Sequence, residues 1–154
     1  MSGQLDKTMY GKGSLDERTK RRSVYFFIKR SRLIPTMQLF DAPEPLVSQG
    51  RRLSTTIAPQ ALMFMNSPHV RVYATAFAQK LAKVAGEDLE KAVNAGYQAA
   101  LGRQPDPEER ASTLAFLKSQ KEAYSTARQN NPQLLALVDL AQTIFSLNEF
   151  SYLR

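Results

Sequence analysis

Cysteine is absent from the 154-residue chain, and histidine occurs once, as His69. Without cysteine there can be no disulfide framework and no thiolate-ligated metal site. A single histidine argues against a histidine-rich metal site and against a histidine-based catalytic triad. No apolar run approaches the roughly 20 residues that a membrane-spanning helix needs. Residues 1–22 also lack the apolar core of a secretory signal, so we predict no membrane span and no signal peptide in this chain.

Sequence motifs of common catalytic sites are absent as well. The chain has no phosphate-binding P-loop, no Gly-x-Ser-x-Gly elbow and no dinucleotide-binding glycine fingerprint. Met63 and Met65 stand near His69, a combination that can ligate haem, but core-filling methionines are the favoured interpretation. Paired Glu108 and Glu109 are explained by the dipole of a helix that starts beside them. We therefore predict no catalytic residue, no metal site and no cofactor, and lean against an enzyme.

Positive charge is concentrated in the first third of the chain. The net charge is +7, and residues 1–52 hold 11 Lys and Arg against 5 Asp and Glu, whereas residues 53–154 hold 10 against 9. Such an asymmetry can mark contact with a nucleic acid or an anionic surface. A solvated arm, or a face that meets an acidic partner, also explains it and is favoured. Nucleic acid is accordingly a minor hypothesis.

The first 57 residues are predicted to form a basic, irregular or extended segment that packs on a helical domain. Glycines and prolines interrupt this segment, and residues 23–29, Ser-Val-Tyr-Phe-Phe-Ile-Lys, are its one probable strand. The continuous apolar run from Val24 to Ile28 predicts burial. Aromatic and arginine side chains can also bind single-stranded nucleic acid by stacking, but here the aromatics are consecutive, which favours a buried strand flanked by charges.

Residues 58–154 are predicted to form an α-helical domain, so the fold class is mainly α, a bundle of four or five helices. Apolar residues recur at helical spacing, and capping residues, Pro and Gly mark the ends. Asp106 is a predicted N-cap with Pro107 in the first turn, and Gly86 and Gly102 are predicted helix stops. The predicted helices span about 58–66, 68–84, 87–101, 107–128 and 132–147.

Polar residues cluster before and within the first of these helices, and they are the candidate ligand-binding set. The set comprises Asp41, Arg51, Arg52, Thr56, Gln60 and Asn66. Two arginines facing a capped helix start could bind an anion or a carboxylate. The favoured alternative is an internal network in which Arg52 pairs with Asp41 and fastens the loop to the bundle. Asp41 and Glu44 could form an acid/base pair, but a role for Asp41 in the turn before Pro43 is favoured.

Five blocks in fixed order carry a resemblance to a known family. They are RRSVYFFIKRS, QLFDAPEP, RRLSTTIAPQALMFMNSP, ALGRQPDPEE and SLNEFSYL. In this order they resemble the C-terminal domain of planctomycete-type exported proteins, domain of unknown function 1553, which often follows a cytochrome-c-like domain. The resemblance covers about residues 3–153. It implies an exported, periplasmic or cell-surface location and an N-terminally truncated copy here, and it transfers no role to any residue.

Three functional hypotheses follow from these observations. The first is a non-catalytic helical interaction or support module whose partners are upstream domains of a larger exported bacterial protein, or another protein. The second is a hydrolase-type fragment with a polar cleft at Asp41, Arg52, Thr56 and Gln60. The third is nucleic-acid or anionic-surface binding through the basic first third. The sequence leaves the oligomeric state open.

Overall fold

The computed structural model describes residues 2–29, 32, 34–43, 50 and 58–151. Within this part of the chain it contains a 3₁₀ turn at Ser23–Tyr25 and seven α-helices. The helices are α1 Pro35–Leu39, α2 Ala58–Asn66, α3 Pro68–Ala85, α4 Leu89–Leu101, α5 Pro107–Thr126, α6 Pro132–Phe145 and α7 Asn148–Ser151. The prediction of a mainly α fold built as a helical bundle is confirmed.

The chain divides into two compact units, one of Gln4–Met63 and one of Met1–Gly3 with Phe64–Arg154. The division therefore falls inside α2. The sequence-based boundary between residues 57 and 58, and the packing of the first segment on the bundle, stay predictions, because residues 51–57 lie outside the described part of the chain.

Helix α6 lies at the centre of the larger unit. It packs most extensively against α3 and α5 and also contacts α4 and α7. Half of its residues are buried, because apolar side chains occupy nearly every turn of the stretch Pro132–Phe145. The core also takes side chains from the helices around α6. Its largest fully buried apolar side chains are Phe77, Val93, Leu117, Leu137 and Ile144.

An aromatic row connects the end of α6 to its neighbours. The ring of Phe145 stacks on Phe77 at 5.7 Å and on Phe150 of α7 at 5.0 Å between centroids. Phe150 in turn meets Phe64 edge to face at 6.3 Å. Aromatic pairs at these separations add to the stabilisation from burial alone. Phe150 thus packs the short helix α7 against the bundle.

Helix boundaries follow the capping signals in the sequence. The Asp106 carboxylate accepts the Glu109 N–H at 2.7 Å while the Glu109 carboxylate accepts the Asp106 N–H at 2.9 Å, a complete capping box. Gly102 ends α4 with φ of 75°, a left-handed conformation in which a side chain would be strained. Asp88 starts α4 by accepting from the N–H groups of Glu90 and Lys91, both at 3.0 Å. The four longest predicted helices end within two residues of the observed bounds.

The strand predicted over residues 23–29 is wrong. Ser23–Tyr25 form a 3₁₀ turn in which the N–H of Phe26 donates to the carbonyl of Ser23 at 2.9 Å. Beyond it, the described residues contain only isolated bridges, Ser14 with Phe26 and Lys29 with Arg32. The predicted burial is wrong too, since Val24 and Ile28 are 72% and 68% exposed. The apolar run has no strand ladder and no core face to join among these residues, so local i→i+3 bonding prevails.

Candidate functional site

Gln60 is the member of the predicted ligand set whose side-chain bonding is clearest. It lies in the first turn of α2, and it is 1% exposed. Its Nε2 donates to the carbonyl oxygen of Leu39, the last residue of α1, at 2.8 Å. A buried amide is stable only where such partners exist, so Gln60 fastens α2 to the end of α1.

Asp41 lies in the turn that follows α1. Its backbone is left-handed, with φ of 56°, and its N–H donates to the Gln38 carbonyl at 3.2 Å. Aspartate tolerates this conformation better than most residues, so its backbone role is that of a helix terminator. Asn66 is exposed at the end of α2 and belongs to the other unit. Arg51, Arg52 and Thr56, like Glu44, lie outside the described residues. The anion pocket and the pairing of Arg52 with Asp41 stay predictions.

A second polar group, which we call the α6 polar cluster, consists of Arg71, Tyr124, Asp139 and Gln142. Arg71 Nη1 donates to Asp139 Oδ1 at 2.5 Å and to Gln142 Oε1 at 2.9 Å. Tyr124 Oη donates to the other carboxylate oxygen of Asp139, Oδ2, at 2.7 Å. One carboxylate on α6 therefore binds a cation from α3 and a phenol from α5. Charge-assisted hydrogen bonds of this kind are among the strongest in proteins.

Gln142 extends the α6 polar cluster to the last turn of α2. Its Nε2 donates to the carbonyls of Met65 at 2.5 Å and of Phe64 at 3.2 Å. Carbonyls in the last turn of a helix have no partner within the helix. The amide of Gln142 thus satisfies both groups while its oxygen receives Arg71, which joins α2, α3 and α6 through one side chain.

Hydrogen bonding to Asp139 raises the pKa of Tyr124 above its ordinary value of 10.0. Burial of the phenol and the negative charge of Asp139 act in the same direction, while Arg71 opposes them. Tyr124 is therefore a protonated donor at neutral pH. A general acid or base works best with a pKa near the operating pH, so this shift suits a structural bond rather than proton transfer.

A surface cavity of about 250 Å³ lies beside the α6 polar cluster. Its lining residues are Met65, Asp139, Gln142, Thr143 and Ser146. The hydroxyls of Thr143 and Ser146 each donate to a carbonyl one turn earlier in α6, at 2.9 Å. Their oxygens keep lone pairs that can accept a hydrogen bond. The cavity can hold a small polar group, and the charge of Asp139 in its wall is largely balanced by Arg71.

A third polar group, which we call the Arg103 clamp, consists of Arg103, Glu109 and Glu149. It connects the loop before α5 to the short helix α7. Arg103 Nε and Nη2 donate to the two carboxylate oxygens of Glu149 at 2.8 and 2.7 Å. Nη1 and Nη2 donate to the carboxylate of Glu109 at 2.7 and 2.8 Å. Nη1 also reaches the Gln104 carbonyl at 3.1 Å. Every nitrogen of the guanidinium is bonded, in the two-pronged geometry that arginine forms with carboxylates.

The Arg103 clamp keeps its carboxylate charged. The hydrogen bond from Arg103 lowers the pKa of Glu109 to about 2, although burial acts to raise it. The backbone N–H of Asp106 contributes to this lowering of the pKa. The two carboxylates raise the pKa of Arg103 above its already high ordinary value. Glu109 and Arg103 are therefore fully ionised at neutral pH, which suits a permanent ion pair.

The sequence did not reveal these two polar groups. Arg71 is 68 residues from Asp139 and 71 from Gln142, so no local spacing indicates their contact. Glu109 was explained by the helix dipole alone, although it also closes the capping box and pairs with Arg103. The only available signal was that Arg103 and Glu149 both stand in blocks of the family resemblance.

Neither a metal site nor a membrane-spanning helix is found in the described part of the chain. No three His, Asp or Glu side chains there are grouped so that they could hold a metal ion. No helix among the same residues is long and apolar enough to cross a bilayer.

Comparison with known proteins gives a family and no characterised relative. A family model described as "PSD1: Protein of unknown function (DUF1553)" matches residues 1–117 of the 154. Its match extends over the basic first third and ends inside α5. The search of curated proteins and that of solved structures found no match.

Proposed function

The chain belongs to the PSD1 family of proteins of unknown function (DUF1553), and from that membership we propose that it is a non-catalytic helical interaction or support module. In this proposal it works beside upstream domains of a larger, planctomycete-type exported protein, at the C-terminal side of that assembly, or beside another protein. The family match supports the proposal because it confirms the family resemblance, and the neighbouring domains were inferred from that resemblance.

The observation that carries the proposal is the commitment of charged side chains to bonds between helices. In the α6 polar cluster, Asp139 binds α3 through Arg71 and α5 through Tyr124. In the Arg103 clamp, one guanidinium holds Glu109 at the start of α5 and Glu149 in α7. A nucleophile or a proton carrier must be available to its substrate, whereas these charged groups are bonded to each other between helices. Their geometry supports a rigid helical framework.

The pKa shifts point in the same direction. The pKa of Glu109 falls to about 2 and that of Tyr124 rises above 10.0, so both move away from neutrality. Catalytic carboxyls and phenols are commonly tuned toward the working pH. The lowered pKa keeps Glu109 an ionised acceptor, and the raised pKa keeps Tyr124 a protonated donor. These are the forms that their hydrogen bonds require.

Co-expression with the polypeptide encoded directly upstream tests the partner in this proposal. The tagged upstream polypeptide and the present chain would be produced together and passed over a size-exclusion column with light scattering. We expect co-elution at the summed mass. A chain with reversed charges at Arg18 and Lys20 is a suitable control for non-specific attraction by the basic segment, and we expect it still to co-elute. Elution of the unaltered chain alone would rule out the upstream polypeptide as its partner.

The hydrolase hypothesis stays a prediction. Of its four residues, Gln60 is buried and bonded to α1, Asp41 lies in the turn after α1, and Arg52 and Thr56 lie outside the described residues.

A further inference from the structure

Large apolar side chains are exposed on two segments of the smaller unit. Met9 and Tyr10 are 68% and 81% exposed, and Val24, Phe27 and Ile28 are 72%, 51% and 68% exposed. Isolated exposed apolar residues are common, whereas five within two short segments are a candidate interaction site. We call these two segments, residues 8–12 and 22–29, the basic-apolar loops.

Arg21 holds the basic-apolar loops together. Its Nη2 donates to the carbonyls of Thr8 at 3.1 Å and Tyr10 at 2.6 Å. Its Nη1 donates to the carbonyl of Lys12 at 3.3 Å. The same guanidinium lies 3.8 Å above the centroid of the Tyr25 ring, a cation–π contact. One side chain thus shapes the first loop and seats it against the second, so Arg21 organises the patch.

A short backbone pairing reinforces this arrangement. The N–H of Phe27 donates to the Ser14 carbonyl at 2.8 Å, and the N–H of Ser14 donates to the Tyr25 carbonyl at 3.2 Å. Gly13 permits the close approach, because a Cβ there would lie 3.2 Å from the Tyr25 carbonyl and 3.3 Å from the Phe27 Cβ. The apolar side chains are therefore presented by a backbone with defined contacts.

Cations surround the exposed apolar side chains. Lys7, Lys12, Arg22, Lys29 and Arg32 are all exposed, and none forms an ion pair with a carboxylate among the described residues. The acidic side chains of residues 1–32 number three, fewer than these five cations. Asp6 accepts from Thr8, Asp16 pairs with Arg18, and Glu17 accepts the Thr36 N–H at 3.0 Å. The basic-apolar loops therefore carry uncompensated positive charge next to exposed hydrocarbon.

We propose that the basic-apolar loops bind the surface of an anionic lipid bilayer, with Val24, Phe27 and Ile28 entering the interface and the flanking cations contacting headgroups. A bilayer surface offers negative charge and hydrocarbon in adjacent layers, which matches this combination of side chains. Nucleic acid matches it less well, because base stacking uses aromatic rings and gives no partner to Val24 or Ile28. Binding is peripheral and needs no spanning helix.

The inference extends the proposed function by naming one surface that the module contacts, and it stands or falls separately. Loss of vesicle binding would leave co-elution with the upstream polypeptide unaffected. Conversely, a chain that elutes alone could still bind lipid through these loops.

Sedimentation with lipid vesicles tests the inference on the full chain. One set of vesicles contains equal parts of phosphatidylglycerol and phosphatidylcholine, and the other contains phosphatidylcholine alone. We expect the chain to sediment with the first set and to stay in solution with the second. Added salt should weaken the binding without abolishing it, because the charges are screened but the apolar contact is not. Equal sedimentation with both sets, or with neither, would overturn the proposal.

Two variants separate the apolar and charged contributions. Phe27→Ser with Ile28→Ser changes two exposed side chains, and we expect at least about a tenfold loss of affinity for the anionic vesicles. Arg22→Gln with Lys29→Gln should cost about tenfold as well. The matched control is Val72→Ser with Val84→Ser, which alters two exposed valines of α3 and should leave the affinity unchanged. Unchanged affinity of the Phe27/Ile28 variant would overturn the proposal.

Competition by an oligonucleotide addresses the remaining alternative. A single-stranded oligonucleotide should displace the chain from vesicles only weakly, and more effectively at low salt. If it instead bound more tightly than the vesicles did, and if the Phe27/Ile28 variant bound it as well as the unaltered chain, the basic-apolar loops would be a nucleic-acid site and the proposal would be wrong.

Discussion

Arg103 uses a single planar guanidinium to bind two carboxylates that lie 6 and 46 residues away in the chain. Lysine could supply the charge but not the fork, since the three N–H donors of an ammonium group radiate from a single nitrogen. The side chains are part-exposed, at 38% for Arg103 and 29% for Glu109, so solvent weakens the attraction. The clamp therefore acts through geometry as much as through charge.

Replacement of Arg103 by lysine should lower the melting temperature, and replacement by alanine should lower it further. Both changes leave Glu109 and Glu149 without their bidentate partner. Differential scanning calorimetry at neutral pH provides the measurement. Arg128→Lys, at an exposed position after α5, is the control and should melt like the unaltered chain. Equal melting of Arg103→Lys and the unaltered chain would show that the fork is unimportant.

Acid should weaken the clamp over a defined pH range. The pKa of Glu109 falls from 4.5 to about 2 on folding, so its stabilising effect is present above 4.5 and is lost as the pH falls through about 2. We expect the stability of the unaltered chain, measured relative to Glu109→Gln, to decline between these two pH values. Chemical unfolding across this range measures the difference. A constant difference between pH 5 and pH 2 would contradict the assigned pKa.

Tyr124→Phe should remove one hydrogen bond from the α6 polar cluster and destabilise the chain by about 1 kcal/mol. The ring stays, so packing is preserved and the effect reports the phenol. Because folding raises the pKa of Tyr124 above 10.0, the stabilisation by the phenol is present below pH 10 and is lost as the pH rises through the raised pKa. Urea unfolding at neutral pH and above pH 10 measures it, and the two proteins should converge at the higher pH.

At the scale of elements, helix ends were the most predictable features of the fold. Helices start or end at the positions predicted from Asp106, Pro107 and Gly102, because capping and left-handed termination depend on a few neighbouring atoms. Burial of α6 was also visible in its apolar content. The strand over residues 23–29 failed because a strand needs a partner, and β-rich composition cannot supply one.

Substitutions at Gly96 test how closely α4 packs against its neighbouring helices. A Cβ there would lie 3.5 Å from the terminal Cδ1 atoms of Ile144 and Leu81, an ordinary contact distance. Gly96→Ala should therefore be tolerated and, through better helix propensity, should stabilise the chain by up to about 1 kcal/mol. Gly96→Leu is too large for the space and should destabilise it by about 1–3 kcal/mol.

Thermal unfolding of the two Gly96 variants followed by circular dichroism gives the comparison. The expected order of melting temperatures is Ala above Gly above Leu. If Gly96→Leu melted at or above the temperature of the unaltered chain, α4 would not pack against α3 and α6 as closely as described.

The whole molecule shows why the candidate site was harder to predict than the fold. Fold class follows from periodicity, which is local, whereas Arg71, Asp139 and Gln142 meet only through tertiary packing. The predicted ligand set was chosen because its polar residues lie close together in the sequence, and residues that are close in sequence need not bring their side chains together in space. Gln60 illustrates this, since its side chain is buried against α1.

At the same scale, the two units carry different kinds of surface. In the larger unit the charged groups that matter most are paired across helices, as in the Arg103 clamp. In the smaller unit exposed cations and apolar side chains stand together on the basic-apolar loops. From this difference we propose that the larger unit is the rigid helical framework and that the smaller unit contacts a surface through the basic-apolar loops.

Turnover assays on a broad panel of glycan and ester substrates test most directly whether the chain acts by binding. The informative variant is Asp41→Asn, which removes the carboxylate while asparagine still tolerates the left-handed backbone at φ of 56°. Asp16→Asn, at an exposed position in the same unit, is the control. We expect no turnover by the unaltered chain above that of a heat-denatured sample. Reproducible turnover that Asp41→Asn abolishes and Asp16→Asn retains would contradict it.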